Sequence, residues 1–276
     1  MRSFCLIILS AIALTPAAPA DSQTPVPAPG PTYADLADLA LGAQIAAHVR
    51  VKSASVLKEE QAAGVRPGFA RLFVEADVVA LIRANEAVPA RVRYLADLPR
   101  DAKGKAPRLK KGTEFIVLAG TVPGRPGELR LTGTDAQLPF TPARAARLRA
   151  ILTEAASASP PPKISGIGRA FHVPGAIPGE SETQFFLLAA DGRPVSVTVL
   201  RRPGQTPQWA VALSEIVDDA AAAPARDTLL WYRLACGLPR ALPRQSLSEA
   251  EPAHVSAIQA DYRYILEQLG PCARSR

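Results

Sequence analysis

The sequence is poor in the residues that most often carry chemistry. It has three histidines, three cysteines and one methionine among 276 residues, and aromatic residues make up only 5% of the chain. The histidines, His48, His172 and His254, lie far apart, and none has another histidine or a cysteine at the spacing that metal ligands need. The sequence therefore predicts no metal site.

Glycine-rich motifs for nucleotides are also missing. The string Gly166-Ile167-Gly168 lacks the third glycine of the dinucleotide fingerprint, and no P-loop string occurs. Proteins that bind single-stranded nucleic acid often interleave basic residues with aromatic residues, and this sequence lacks that pattern. We therefore expect no cofactor and no nucleic-acid partner.

Long apolar runs are absent, except for one at the start of the chain. Arg2 precedes an apolar stretch from Phe4 to Leu14, and small residues then end at Ala18-Pro19-Ala20. This order is the plan of a signal peptide, and the apolar stretch is far shorter than the roughly 20 residues that span a bilayer. We predict a signal peptide at residues 1–20, cleavage after Ala20, no transmembrane anchor afterwards, and a periplasmic or secreted protein.

Only two cysteines remain after that cleavage, because Cys5 leaves with the signal peptide. Cys236 and Cys272 are an even pair in a compartment that permits disulfides. A bridge between them would close a loop of about 37 residues and contribute on the order of 4 kcal/mol in the chain-entropy model. The alternative is a pair of buried free thiols.

Composition divides the rest of the chain into a tether and two modules. Residues 21–31 are rich in proline and small residues, which indicates an extended tether. Residues 32–140 show five strand segments, four with alternating apolar and polar residues and one, Glu114–Ala119, more fully apolar, which indicates a small antiparallel OB-like barrel or sandwich. Residues 141–276 indicate a helix, an antiparallel sheet and two C-terminal helices. The predicted class is α+β.

Local signals mark several element ends. Thr32 and Thr141 stand where helix N-caps are expected, and Pro142 occupies a first helical position. Ser248 with Glu251 three residues later matches a capping box for the last helix. Asp191-Gly192 between two strand patterns is a hairpin signal.

The sequence contains no complete motif for a hydrolytic site. The string Gly179-Glu180-Ser181-Glu182-Thr183 lacks the second glycine of a nucleophile elbow, and its two glutamates oppose activation of the serine. A hydrolytic site assembled from distant loops would combine His172 with Glu180 or Glu182. The alternative is that all three residues have structural roles.

Five basic residues form the one local cluster of a single charge in this chain, whose net charge is +7. The cluster could bind the phosphate or carboxylate groups of a surface polymer, or it could be a solvated loop. Its members are Lys103, Lys105, Arg108, Lys110 and Lys111.

Three segments carry a resemblance to known proteins. They are residues 33–39 (YADLADL), residues 180–184 (ESETQ) and residues 231–236 (WYRLAC). With these segments, the chain resembles an uncharacterised family of exported Gram-negative proteins, and the resemblance implies no activity. The first half is also similar in pattern to secreted netrin-type modules, in which a short helix precedes an OB-like barrel.

These observations favour a non-enzymatic envelope protein that binds another protein or an anionic polymer. A periplasmic hydrolase and a protease inhibitor are the alternatives. The sequence indicates no oligomeric state.

Overall fold

The computed structural model describes residues 30–213 and 221–275. The predicted signal peptide lies outside these residues, as does most of the predicted tether, so both stay predictions. Within the described residues, no helix has both the length and the apolar composition needed to cross a bilayer.

The described residues form four α-helices and ten β-strands, which confirms the predicted α+β class. The elements of the first half are α1 (Tyr33–Gly42), β1 (Ile45–Val56), β2 (Phe69–Ala84), β3 (Arg91–Pro99), β4 (Glu114–Thr121), β5 (Glu128–Leu131) and β6 (Gln137–Pro139). Those of the second half are α2 (Pro142–Ala155), β7 (Ile164–Pro174), β8 (Ser181–Ala189), β9 (Val195–Arg201), β10 (Gln208–Ala212), α3 (Leu229–Gly237) and α4 (Val255–Leu269).

The first five strands close into a barrel. Their order is β1-β2-β3-β5-β4, and β4 pairs back onto β1. The β3–β5 pair is parallel, whereas the other pairs in the ring are antiparallel. Irregularities in the pairing of β1 with β2 supply the bend that closing a small barrel requires. The predicted OB-like barrel is therefore compatible with the observed one.

The remaining strands form a four-stranded antiparallel sheet in the order β10-β9-β8-β7. Its β8–β9 hairpin turns at the predicted Asp191-Gly192, where Gly192 has a φ of 77°. A positive φ of this kind is readily adopted by glycine and costly for other residues.

Two hydrophobic clusters stabilise the structure. The inward side chains of the barrel strands form one cluster, which includes Val74, Val92 and Val117. The other cluster joins the four helices to the inner face of the second sheet, and it also includes Ile116 and Leu118 from barrel strand β4. Residues from both predicted modules therefore share one core, and the predicted boundary at residue 140 stays a prediction.

The helix ends test the local signals. Thr32 and Thr141 are N-caps, and Thr32 forms a reciprocal capping box with Asp35. The capping box predicted at Ser248 and Glu251 is wrong, because α4 begins only at Val255 and has no side-chain cap. Pro252 lacks a backbone N–H, and a 3₁₀ turn over Pro252–His254 leads into the helix instead.

The predicted disulfide is present. Cys236 at the end of α3 is bonded to Cys272, just beyond α4, with their Cα atoms 5.2 Å apart. The following residues lie against α1, where Thr32 Oγ1 donates to the carbonyl of Ala273 at 2.9 Å. Arg274 Nε also donates to Asp38 at 2.8 Å. The end of the described chain is thus attached to its first helix.

Candidate functional site

The outer face of strands β2 and β3 carries an ordered set of side chains. Because the two strands are antiparallel, residues directly opposite each other form cross-strand pairs. Along the strands these pairs are Asp77 with Arg91, Glu75 with Arg93, Phe73 with Leu95, and Arg71 with Asp97. One apolar cross-strand pair, which we call the apolar step, therefore lies between charged cross-strand pairs on a solvent-facing surface.

Phe73 and Leu95 form this apolar step, and both are only half covered. Their exposed fractions are 38% for Phe73 and 45% for Leu95. They lie on the floor of a groove of about 670 Å³, which we call the barrel groove. It is bounded by β2, β3, β5 and the loop between β4 and β5.

Four arginines line the barrel groove, together with two carboxylates, which gives a net charge of +2. The arginines are Arg71, Arg93, Arg125 and Arg130, and the carboxylates are Asp97 and Glu128. A concave surface of one sign concentrates ligands of the opposite sign, so this groove suits an anionic ligand.

The four arginines differ in how they are already engaged. Arg71 donates to both carboxylate oxygens of Asp97, at 2.7 and 2.8 Å, and this contact raises the pKa of Arg71 above its ordinary value. Arg125 lies 3.3 Å from Glu128 on the exposed rim. Within the described part of the chain, no hydrogen bond or ion pair is made by the guanidinium groups of Arg93 and Arg130. These two groups are placed to bind a ligand.

Two further hollows adjoin the barrel groove. One has a volume of about 410 Å³ and shares Val122 and Arg125 with the groove. The other has a volume of about 710 Å³, shares Asp97 and Thr134, and is lined by Gln137; we call it the Gln137 compartment. Each of the two hollows is therefore contiguous with the barrel groove.

The predicted basic cluster lies elsewhere. Lys103, Lys105, Arg108, Lys110 and Lys111 are all exposed in the loop between β3 and β4, and none of them lines the barrel groove. Asp101 orders this loop by accepting the backbone N–H groups of Lys103 and Lys105, at 2.9 and 2.8 Å. Binding by this cluster stays a prediction.

His172 belongs to a partly buried polar network on the second sheet. Its Nδ1 lies 2.7 Å from Oγ1 of Thr183. The Thr183 hydroxyl donates its proton to Asp261, so the histidine must be the donor in the first contact. Asp261 also accepts from Arg201 Nε at 2.5 Å.

The environment of His172 favours its neutral form. Burial lowers the pKa of His172 below its ordinary value, and the charge of His254, whose ring centroid is 5.1 Å away, lowers it further. With Nδ1 protonated, Nε2 is the basic nitrogen. Thr183 and Asp261 orient the ring of His172 as the partners of a catalytic base would. Proton transfer would also require a reacting group beside Nε2.

The structure does not bring the predicted glutamates to His172. Thr183 lies directly opposite His172 in the β7–β8 pair, so the adjacent Glu182 projects from the other face of the sheet. Glu180 packs over Gly175 in the connecting turn, in space that a side chain at Gly175 would occupy. Thr183 and Asp261 take the places next to His172.

Sequence reasoning did not find the barrel groove. Its signal was that Phe73 lies two residues after Arg71, and Leu95 two residues after Arg93, so that an apolar and a basic side chain share the polar face of each strand. The pattern of the strands indicated only that they are half-buried. The pairing of β3 with β5 then brings Arg130 to the same face. Among the residues that the structure describes, no group of three or more histidine, cysteine or acidic side chains is placed to hold a metal ion.

Comparison with known proteins gives no identity. No family model matches the chain. No curated protein shows a significant similarity to it.

Proposed function

We propose that this chain is an exported, non-enzymatic binding protein of the cell envelope, and that the barrel groove binds an anionic polymer. The observation that carries the proposal is the pair of guanidinium groups, Arg93 and Arg130, beside the exposed Phe73 and Leu95. Arginine presents a planar set of donors that matches carboxylate and phosphate groups. The apolar step offers a second kind of contact to the same ligand.

The position of the groove supports this proposal. OB-like barrels bind oligomeric ligands on the face of their second and third strands, beside the loops that follow strands 1 and 4. The barrel groove occupies the face of β2 and β3, and Arg125 belongs to the loop after β4. We also propose that the first half is a netrin-type module and that the chain belongs with the exported Gram-negative proteins that it resembles.

Export is proposed together with the binding function. The disulfide between Cys236 and Cys272 is compatible with an oxidising compartment, which the periplasm and the extracellular space both provide. The hydrolase and the protease inhibitor remain hypotheses from the sequence alone.

A binding titration with polyanions tests the groove directly. The protein without residues 1–20 would be titrated with polygalacturonate, poly-L-glutamate and polyphosphate at several salt concentrations. We expect at least one of them to bind, with an affinity that decreases as salt screens the contacts. The double variant Arg93→Gln/Arg130→Gln should bind on the order of 100-fold more weakly or worse, since each of the two charged hydrogen bonds contributes about 1.5–3 kcal/mol.

A charge-matched control separates the groove from the net charge of the protein. Lys103→Gln/Lys105→Gln removes the same two positive charges from an exposed loop. We expect this variant to bind nearly as well as the unmodified protein. Equal losses of affinity in both variants would show that binding depends on the net charge of the protein and that the groove is not the binding site.

A further inference from the structure

Two of the three histidines lie side by side in the structure, although they are far apart in the sequence. His172 belongs to β7, and His254 stands at the start of α4. Their ring centroids are 5.1 Å apart, and the two ring planes are tilted by 56°. His172 is half-buried and the side chain of His254 is 25% exposed, so solvent reaches the pair. Neither histidine lines the barrel groove.

The separation of the two rings matches that of two imidazoles bound to one metal ion. A bond from Zn²⁺ to an imidazole nitrogen is about 2.0–2.1 Å long. Two rings bound in this way at a tetrahedral angle have their centres about 5 Å apart. The observed distance of 5.1 Å agrees with this value, so both rings can bind one ion while the strand and the helix stay in place.

In each ring, Nδ1 faces an oxygen, and Nε2 is the nitrogen left for a metal. His172 Nδ1 donates to Thr183, whose hydroxyl is bonded to Asp261. His254 Nδ1 lies 3.9 Å from a carboxylate oxygen of Glu251. Among the described residues, Nε2 of neither ring has a hydrogen-bond partner. Histidines that bind metals usually turn their second nitrogen to a carboxylate, a carbonyl or water, and this pair has the same outer arrangement.

The charges around the pair are compatible with a bound cation. Burial and the charge of His254 lower the pKa of His172, which favours the neutral ring that serves as a metal ligand. Arg201 is bound to Asp261 at 2.5 Å, and this contact offsets its positive charge. Glu251 adds an acidic group beside His254. A divalent ion at the two Nε2 atoms therefore meets no unpaired cation among these groups.

We infer that His172 and His254 form a binding site for a divalent transition metal ion, either Cu²⁺ or Zn²⁺. Imidazole nitrogen suits both ions, whereas Mg²⁺ prefers oxygen ligands. Within the described residues no third histidine, cysteine or acidic side chain completes the set, so water or an external ligand occupies the remaining coordination positions. The site is therefore open, and it does not depend on the barrel groove.

Calorimetric titration of the purified, metal-free protein with Zn²⁺, Cu²⁺ and Mg²⁺ tests this site. We expect Zn²⁺ and Cu²⁺ each to bind with a single ion per chain. Cu²⁺ should bind more tightly than Zn²⁺, as it does at most sites with nitrogen ligands, and Mg²⁺ should not bind detectably. Electron paramagnetic resonance of the Cu²⁺ form should show coupling to two imidazole nitrogens.

His172→Gln and His254→Gln should each weaken the binding of both ions strongly. Loss of the hydrogen-bond partner of a ligand already costs about 10–100-fold in metal affinity, so loss of a ligand should cost about 100-fold or more. Both variants should fold, because a glutamine amide in place of His172 can still donate to Thr183, and His254 is partly exposed. Unfolding midpoints check this.

His48→Gln is the matched control for these two variants. His48 is the remaining histidine, and its Nε2 contacts Glu114 in the barrel at 3.0 Å. This variant removes the same kind of side chain at a distant position, so we expect it to bind both ions as the unmodified protein does.

Several results would overturn the inference. One is binding that His48→Gln weakens as much as the site variants do, and another is binding that only one of the two site variants weakens. Binding of Mg²⁺ as tight as that of Zn²⁺ would indicate carboxylate ligands instead of histidines. No binding of Zn²⁺ or Cu²⁺ at millimolar concentration would also contradict the site. If a site variant does not fold, a Cu²⁺ spectrum of the unmodified protein with fewer than two nitrogen couplings decides against it.

Discussion

At the scale of single residues, the ion pairs within the described residues fall into two groups. Most lie at the surface, such as Arg91 with Asp77 at 2.9 Å, and pairs on an exposed surface contribute little to stability. Asp261 is different, because it is 1% exposed and is held by Thr183 and Arg201. Removing one partner of such a buried charge is far more costly than removing a surface charge.

His172 should make the stability of the protein depend on pH near neutrality. Burial, and then His254, lower the pKa of His172 in the folded protein, while Asp261 opposes this and Arg201 adds to it. In the unfolded chain the imidazole titrates near pH 6.5, so the unfolded state binds protons more readily. The contribution to stability is therefore fully present above about pH 6.5 and is lost progressively as the pH falls from there through the lower pKa of the folded protein.

Urea unfolding at pH 7.5, 6.5 and 5.5 measures this dependence. We expect the unfolding free energy to decrease across the series, and the decrease to be smaller in His172→Gln. The carboxyl groups with lowered pKa values lose their contributions only near pH 4 and below, so they do not obscure the effect; they are Asp35, Asp77, Glu114 and Asp191. An identical slope in the variant would contradict the role assigned to His172.

At the scale of elements, strands and helices were predictable where a local pattern decides them. Alternating apolar residues predicted the five barrel strands, and threonines at the helix starts predicted the N-caps of α1 and α2. The start of α4 was not predictable in the same way. Ser248 and Glu251 have the right spacing for a cap, but Pro252 and the preceding 3₁₀ turn over Arg244–Leu247 exclude it.

The disulfide between Cys236 and Cys272 should contribute strongly to the stability of the C-terminal helix pair. It closes a loop of about 37 residues, and the chain-entropy model assigns such a loop about 4 kcal/mol. Urea unfolding with and without a thiol reductant should show a loss of this size. A second link between the helices, from Trp231 Nε1 to the carbonyl of Leu269 at 2.8 Å, remains when the disulfide is reduced.

The control for this measurement is Cys236→Ser/Cys272→Ser. We expect its unfolding free energy to equal that of the reduced protein and to be insensitive to the reductant. A reductant effect of the same size in this variant would mean that the loss comes from another cause.

At the scale of the whole molecule, the shared hydrophobic cluster couples the barrel to the second sheet. Leu118 of the barrel and Leu148 of α2 belong to it together with residues of the second sheet. Strand patterns in the sequence indicate which side chains are buried, but they do not indicate which buried faces meet. The barrel groove was unpredictable for the same reason, since Arg93 and Arg130 come to the same face only through the β3–β5 pair.

A matched pair of leucine variants tests this coupling. Leu148→Ala in the shared cluster and Leu72→Ala inside the barrel both remove a side chain that is at most 1% exposed, and each should cost about 2–5 kcal/mol. We expect Leu148→Ala to lower the hydrogen-exchange protection of strands β1–β4 and β8–β9 together. If Leu148→Ala lowers the protection of β8–β9 alone, the two halves unfold separately. In that case Leu72→Ala should lower the protection of the barrel strands alone.

The contact of Thr32 with Ala273 has a consequence for protein engineering. The chain enters and leaves its folded part at neighbouring points, so both ends of that part could be joined to two adjacent residues of a host loop. The folded part could thus be inserted into another protein as a cassette, with little strain on the host. Joining the same two ends by a short linker, and opening the chain at the exposed turn around Gly192, would give a circular permutant.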